Sequence, residues 1–190
     1  MNRLEFYKDL YFAELERKEE LRTALTLPIG ILTVLGGVIA IYLREIGRAE
    51  MLDVSISFLG VFTFLLIMSF LATVRNLVKS YHVYTYDFVP YATDLEQAYQ
   101  DLVVYHETVE EAEADFESSV LQSLVIAHRK NAFNNDSKSS HIHNANQTLI
   151  YCLVLALICA IPYFLRTLDS KDVVQRIEIV NPTETENVLD

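Results

Sequence analysis

The stretch "LERKEELRTALTLPIGILTVLGG", Leu15–Gly37, has charge on six of its first eight residues and none from Leu25 onward. No loop signal separates the two halves. It reads either as a soluble helix that ends in a buried one or as a helix that leaves water and enters lipid. The length of the uncharged part, and its recurrence elsewhere in the chain, decide between the two.

Leu25–Leu43 contains 19 residues without Asp, Glu, Lys or Arg, Val54–Val74 contains 21 and Leu149–Leu165 contains 17. At a helical rise of 1.5 Å per residue these reach about 28, 31 and 26 Å, against a hydrocarbon core about 30 Å thick. Asn146–Thr148 are uncharged and extend the third run. The overall apolar share, 52% of 190 residues, hides this concentration. Three such runs in a chain this short point to an integral membrane protein, all-α, with three transmembrane helices. The first run begins after 24 mostly polar residues and no small-residue cleavage pattern follows it, so it reads as a retained span and not as a signal peptide.

Working outward from the spans, the expected organisation is an amphipathic helix over 1–24 and a transmembrane hairpin over 25–74, with spans 25–43 and 54–74. A helical segment over 75–148, a third span over 149–165 and an acidic tail over 166–190 follow. Lys and Arg number five in 1–24, two in 44–53, five in 75–148 and three in 166–190. The positive-inside rule then predicts a cytoplasmic N-terminus and middle segment, with the hairpin loop and C-terminus outside. Arg17, Lys18 and Arg22 mark the inner headgroup level ahead of the first span. Pro28 removes one helical hydrogen bond there and predicts a kink at the water boundary.

In the first helix, Leu4, Tyr7, Tyr11 and Leu15 form one stripe. After the second span, "YHVYTYDFVPY" places Tyr81, Tyr84 and Tyr86 in an aromatic cluster, which reads as an interfacial belt or as a docking surface for a helix or partner. Thr93 and Glu96 have capping-box spacing and predict a helix start. Leu95, Leu102, Val109 and Phe116 then repeat every seven residues. They predict one long helix, about 93–133, whose apolar seam suits a partner. The pattern fades at "NAFNNDSKSSHIHNANQ", which reads as too polar to pack. "DVVQRIEIV" alternates and is β-branched, predicting a short β-prone stretch in the tail that needs an external partner. "NPTETENVLD" reads as a disordered acidic end.

Chemistry-bearing motifs are sparse. No nucleophile elbow, P-loop, dinucleotide fingerprint or HExxH occurs, so no catalytic residue, cofactor-binding residue or metal ligand is assigned, and an enzyme is not expected. His128, His141 and His143 are the one cluster of ligand type, among Asn and Ser that make poor ligands, and read as a polar surface. Cys152 and Cys159 sit seven apart in one apolar run and read as small packing residues. A net charge of −11 argues against nucleic acid as a partner. The spans carry no ionisable group, which disfavours a coupled transporter. They do carry small residues four apart: Thr33 with Gly37, Gly36 with Ala40, Ser69 with Thr73, and Cys152, Ala156 and Ala160. Packing among the three spans explains these stripes, and so does self-association.

The order of features in "YFAELERKEELRTALTLPIGILTVLGGVIAIYL" and "YTYDFVPYATDLEQAYQDLVVYH", a charged helix, a two-span hairpin and a helical segment, resembles small bacterial membrane effectors of antiphage defence cassettes. The relatives are the SLATT-type two-span effectors and the membrane effectors of retrons. The resemblance covers about Tyr7–His106 and lies in layout; the third apolar run and the acidic tail extend beyond a two-span pattern. It implies a multi-pass protein of the cell inner membrane that, once triggered, assembles as a homo-oligomer in lipid and perturbs or permeabilises the membrane in abortive infection. It also implies a regulatory protein encoded nearby. The alternative is a membrane scaffold or anchoring subunit whose helical segment recruits a soluble partner.

Overall fold

The computed structural model describes residues 2–47, 54–81 and 84–180, with side chains for 2–47, 55–81 and 84–168. The described residues are helical apart from short connections: α1 (Arg3–Ala24), α2 (Thr26–Gly47), α3 (Val54–Tyr81), α4 (Ala92–Tyr105) and α5 (Val109–Val180). Three helical stretches are long and apolar enough to cross a membrane: Arg3–Gly47, Ser55–Tyr81 and Val109–Leu168.

The charge-to-hydrocarbon join is a break between two helices. α1 opens with Asn2, whose side chain accepts from the Leu4 N–H, and closes at Leu25, whose N–H turns back to the Arg22 and Thr23 carbonyls. α2 starts at Thr26, so Pro28 falls in its first turn, where a missing N–H costs no intrahelical bond.

Two compact units share the chain. The first, polar unit comprises Met1–Leu27 and Arg75–Ala145. In it α1 lays its Leu4–Tyr7–Tyr11–Leu15 stripe on α5, with Tyr11, Leu124 and Ala127 buried and Val89 and Val120 against them. α4 and the start of α5 form a helical hairpin, its rings in contact where Tyr99 meets Phe116 at 5.4 Å between centroids. The second, apolar unit comprises Pro28–Val74 and Asn146–Asp190.

Burial along the long helices follows steps of three, four or seven, the spacing of a knobs-into-holes seam. On α2 it takes Pro28, Leu32, Leu35, Ile39 and Tyr42. On α3 it takes Leu59, Thr63, Leu66, Thr73, Leu77 and Ser80. On α5 it runs through Leu124, Ala127, Asn131, Asn135, Lys138, Ile142, Ala145, Leu149, Cys152 and Cys159. The stripe on α5 passes from apolar to polar residues and back without losing step. This is why the segment expected to fade as too polar is helical throughout: two of its five asparagines, Asn131 and Asn135, are fully buried core residues.

Three further expectations are corrected. The single helix over 93–133 is interrupted at His106–Thr108, because the chain reverses there and α5 starts afresh at Val109. The capping box is not at Thr93, which lies inside α4 behind its N-cap Tyr91. The working cap is Thr108, whose hydroxyl accepts the Glu111 N–H at 3.3 Å. Finally, Asp172–Val180 continues α5 as helix where the alternating pattern reads as β-prone. Extending an existing helix needs no new nucleus, and the β-branched penalty is only a few tenths of a kcal/mol per residue. The acidic end, 181–190, and hairpin residues 48–53 lie outside the described residues.

Candidate functional site

The polar unit is organised around an extended segment, Tyr84–Pro90, whose backbone has no sheet to pair with among the described residues. Pro90 biases Val89 away from helix, and the aromatic alternation before it favours an extended chain. Its unmet backbone groups are taken by asparagine side chains of α5, spaced to lie on one helix face. Asn131 binds both groups of Asp87, accepting from its N–H and donating to its carbonyl, each at 2.9 Å. Asn134 donates to the Thr85 carbonyl at 2.9 Å. The Tyr86 hydroxyl donates to Asn135 Oδ1 at 2.6 Å. Asn135 Nδ2 in turn reaches α1, 2.7 Å from both the carbonyl and the carboxylate of Glu14.

Charges frame this network. Lys130 pairs with Asp87, and Arg17 with Asp136 at 2.8 Å. The Val89 N–H reaches the Tyr11 hydroxyl at 3.4 Å. Asn135 is also the first residue of a glycosylation-type "NDS" triplet, and its complete burial leaves no room for a glycan.

Beside the network is a hollow of about 580 Å³ lined by Lys18, Arg22 and Lys138 together with Ser80, Tyr84 and Tyr86. Lys18 Nζ stands 4.7 Å from the centroid of the Tyr86 ring and 5.5 Å from that of Phe88, at cation–π range. Among the described residues Arg22 makes only a long, exposed pair with Glu19 at 3.7 Å. Lys138 is 8% exposed. Burial holds its ammonium pKa below the ordinary lysine value; Glu19 opposes the shift, and Lys18 and Arg22 add to it. Burial likewise raises the Tyr84 and Tyr86 phenols, Tyr86 further through Tyr84 and Glu14.

The residues read as headgroup anchors therefore separate. Tyr81 is exposed, while Tyr84, Tyr86, Arg17 and Lys18 are half-buried in the polar unit; Arg22 is exposed at the hollow's edge. The seam residues separate too. Leu95 and Leu102 are half-buried on α4, Phe116 half-buried on α5, and Val109 exposed at the start of α5. At the hairpin tip Val104 and Tyr105 are 86% and 82% exposed, with His106 tied by Nε2 to Asp115 Oδ2 at 2.9 Å.

In the apolar unit, hydroxyls and thiols join α3 to α5. Thr63 Oγ1 lies 3.9 Å from Cys159 Sγ and Thr73 Oγ1 3.8 Å from Cys152 Sγ. Thr73 Oγ1 is also 2.9 Å from Thr148 Oγ1, and Ser69 donates to the Thr148 carbonyl at 3.1 Å. The Tyr42 hydroxyl of α2 donates to the Ala156 carbonyl at 2.9 Å. Beyond the uncharged runs, Arg166 Nε pairs with Glu45 Oε1 at 3.3 Å.

Of the small residues read as packing positions, Ala156 and Ala160 are half-buried on α5. Gly36 is half-buried, a Cβ there meeting Phe70 at 4.0 Å. Thr33, Gly37 and Ala40 are exposed, and a Cβ on Gly37 would meet nothing within 4 Å. Among the described residues no group of three or more His, Cys, Asp or Glu is placed to hold a metal ion.

Sequence reasoning missed Asn131, Asn135 and Lys138. The signal that would have found them is the three-and-four stepping from Leu124 to Cys152, visible only if polar residues are allowed in the seam. No family model, no curated protein and no solved structure matches this chain.

Proposed function

We propose that this chain is a non-enzymatic, three-span effector of a bacterial inner membrane, with its polar unit on the cytoplasmic side. When triggered, it self-associates in lipid and perturbs the bilayer, as the antiphage effectors it resembles in layout do. The observation that supports this reading is the division of labour on α2. Leu32, Leu35, Ile39 and Tyr42 are buried within the chain, while Thr33, Gly37 and Ala40 are exposed. Small residues four apart on a lipid-facing surface let a second helix approach closely.

Potential-sensitive dye fluorescence in cells under forced expression, together with cross-linking in membranes, tests this. Wild type depolarises cells and cross-links to oligomers; Thr33→Leu, Gly37→Leu and Ala40→Leu combined keep the protein in the membrane but abolish both. Full membrane potential with oligomers present would overturn the effector reading.

A second reading, a membrane anchor that recruits a soluble partner, draws support from the hairpin tip, where Val104, Tyr105 and Val109 are 86%, 82% and 51% exposed. The anchor reading predicts that Val104→Asp with Tyr105→Asp releases a co-purifying protein and leaves membrane potential unchanged.

A further inference from the structure

From the hollow beside the asparagine network, we infer that Lys138, Lys18 and Arg22 form a binding site for a phosphate group carried on a small molecule, either a lipid headgroup or a soluble phosphate compound. The inference does not depend on the effector reading.

The decisive residue is Lys138. The residue is 8% exposed, it lines the hollow, and among the described residues it makes no hydrogen bond or ion pair. The residue is largely buried but its ammonium meets water at the hollow, and a cation so placed is usually paired. Two more cations, Lys18 and Arg22, line the same hollow; of the carboxylates behind its walls, Glu19 is loosely paired with Arg22 and Glu14 is engaged by Arg17 and Asn135. Three cations and, among the described residues, no carboxylate line the hollow, which is therefore a positive recess where an entering anion gains charge-assisted hydrogen bonds.

The remaining walls fit the same ligand. Tyr84, Tyr86 and Ser80 supply hydroxyls, although Ser80 is committed to the Leu77 carbonyl at 2.7 Å and Tyr86 to Asn135. Among the described lining residues, the hydroxyls of Tyr81, Tyr84 and Thr85 carry no such commitment and can turn toward an anion. A volume of about 580 Å³ suits a phosphorylated organic group better than a bare ion. Position along the chain favours a headgroup source. Ser80 lies about 9 Å of helix rise beyond Val74, the last residue of the second uncharged run, and Arg22 precedes Leu25 by one turn.

The test uses the full chain purified in a neutral detergent and phosphate-free buffer. Native mass spectrometry measures retention of dioctanoyl phosphatidic acid against dioctanoyl glycerol, which lacks the phosphate. Thermal unfolding with added inorganic phosphate or adenosine monophosphate measures a soluble source. Lys138→Met keeps the stem and removes the charge; Arg129→Gln removes an exposed charge on the same helix, outside the hollow. Wild type and Arg129→Gln should retain phosphatidic acid over the phosphate-free lipid, and Lys138→Met should lose about tenfold in affinity, the value of one charge-assisted hydrogen bond. Stabilisation by inorganic phosphate or the nucleotide, lost in Lys138→Met, would assign a soluble ligand to the same site. Equal retention of both lipids with no response to soluble phosphate, or equal binding by wild type and Lys138→Met, would overturn the proposal. Should Lys138→Met fail to fold, Lys18→Met with Arg22→Gln serves as the reduced-charge variant, with the same two outcomes.

Discussion

Asn135 Nδ2 lies 2.7 Å from both oxygens that Glu14 offers, its backbone carbonyl and its carboxylate, while Asn135 Oδ1 accepts from Tyr86. One amide thus ties α1, α5 and the extended segment together. Replacing it with Ala should leave the Tyr86 hydroxyl and Glu14 without that partner, at a cost of about 2 kcal/mol. Asn135→Asp should be worse at neutral pH, because a second carboxylate would face Glu14. Repulsion raises the pKa of such a pair, so the native state binds protons more readily than the unfolded chain, and stability should recover as pH falls into the carboxylate range. Thermal unfolding in detergent across pH checks this; a pH response in Asn135→Asp no larger than in Asn135→Ala would refute it.

Lys138 sets an opposite trend at high pH. Its pKa in the folded protein is below the ordinary 10.5, chiefly through burial. Between the folded value and 10.5 the unfolded chain holds the proton that the native state has released, so native stability rises with pH through that window. Lys138→Met should flatten that rise and, in phosphate-free buffer, raise the melting temperature at neutral pH. Chemical unfolding at neutral and alkaline pH reads both effects.

Lys130 and Asn131 both engage Asp87, at very different value. The Lys130 pair is partly solvent-exposed, 46% and 35% for the two side chains, so Lys130→Ala should cost no more than about 1 kcal/mol. Asn131 is fully buried and satisfies both backbone groups of Asp87. Asn131→Ala should cost about 3 kcal/mol, and equal losses in the two variants would contradict the network.

On α3, Thr73 is fully buried against Cys152 and Thr148, and Leu71 is 55% exposed. Thr73→Leu should destabilise by about 1–3 kcal/mol through overpacking. Leu71→Ala should stay within about 0.5 kcal/mol. Melting temperatures in one detergent rank the two.

Both cysteines are fully buried at this interface. A maleimide should therefore modify Cys152 and Cys159 slowly in the folded protein and fully after denaturation. Rapid double labelling of the folded chain would place α5 differently against α3.

The three apolar runs were legible because lipid demands an uninterrupted length of uncharged residues, a signal no other feature of this chain imitates. Pro28 likewise pointed to the join, although the helices part at Leu25 and not at the proline. The polar unit was harder to read because its core is built from Asn131, Asn135 and Lys138, residue types that a hydrophobicity pattern assigns to solvent. The seven-residue spacing of Leu95, Leu102, Val109 and Phe116 misled for a different reason. It continues across a chain reversal, and only the Thr108–Glu111 cap marks the break. Alternating β-branched residues after Lys171 suggested a strand, yet a helix already under way needs less from each residue than a new one does.

The buried stripe of α5 keeps one phase from Leu124 to Cys159. A single residue inserted between Cys152 and Cys159 would rotate every later side chain by about 100°. Cys159 would then swing off Thr63 while Cys152 stayed beside Thr73. A seven-residue insertion there would restore the angle to within about 20° but carry Cys159 about 10 Å along the axis, past its threonine. The two thiol–hydroxyl contacts therefore key α5 to α3 in both angle and length.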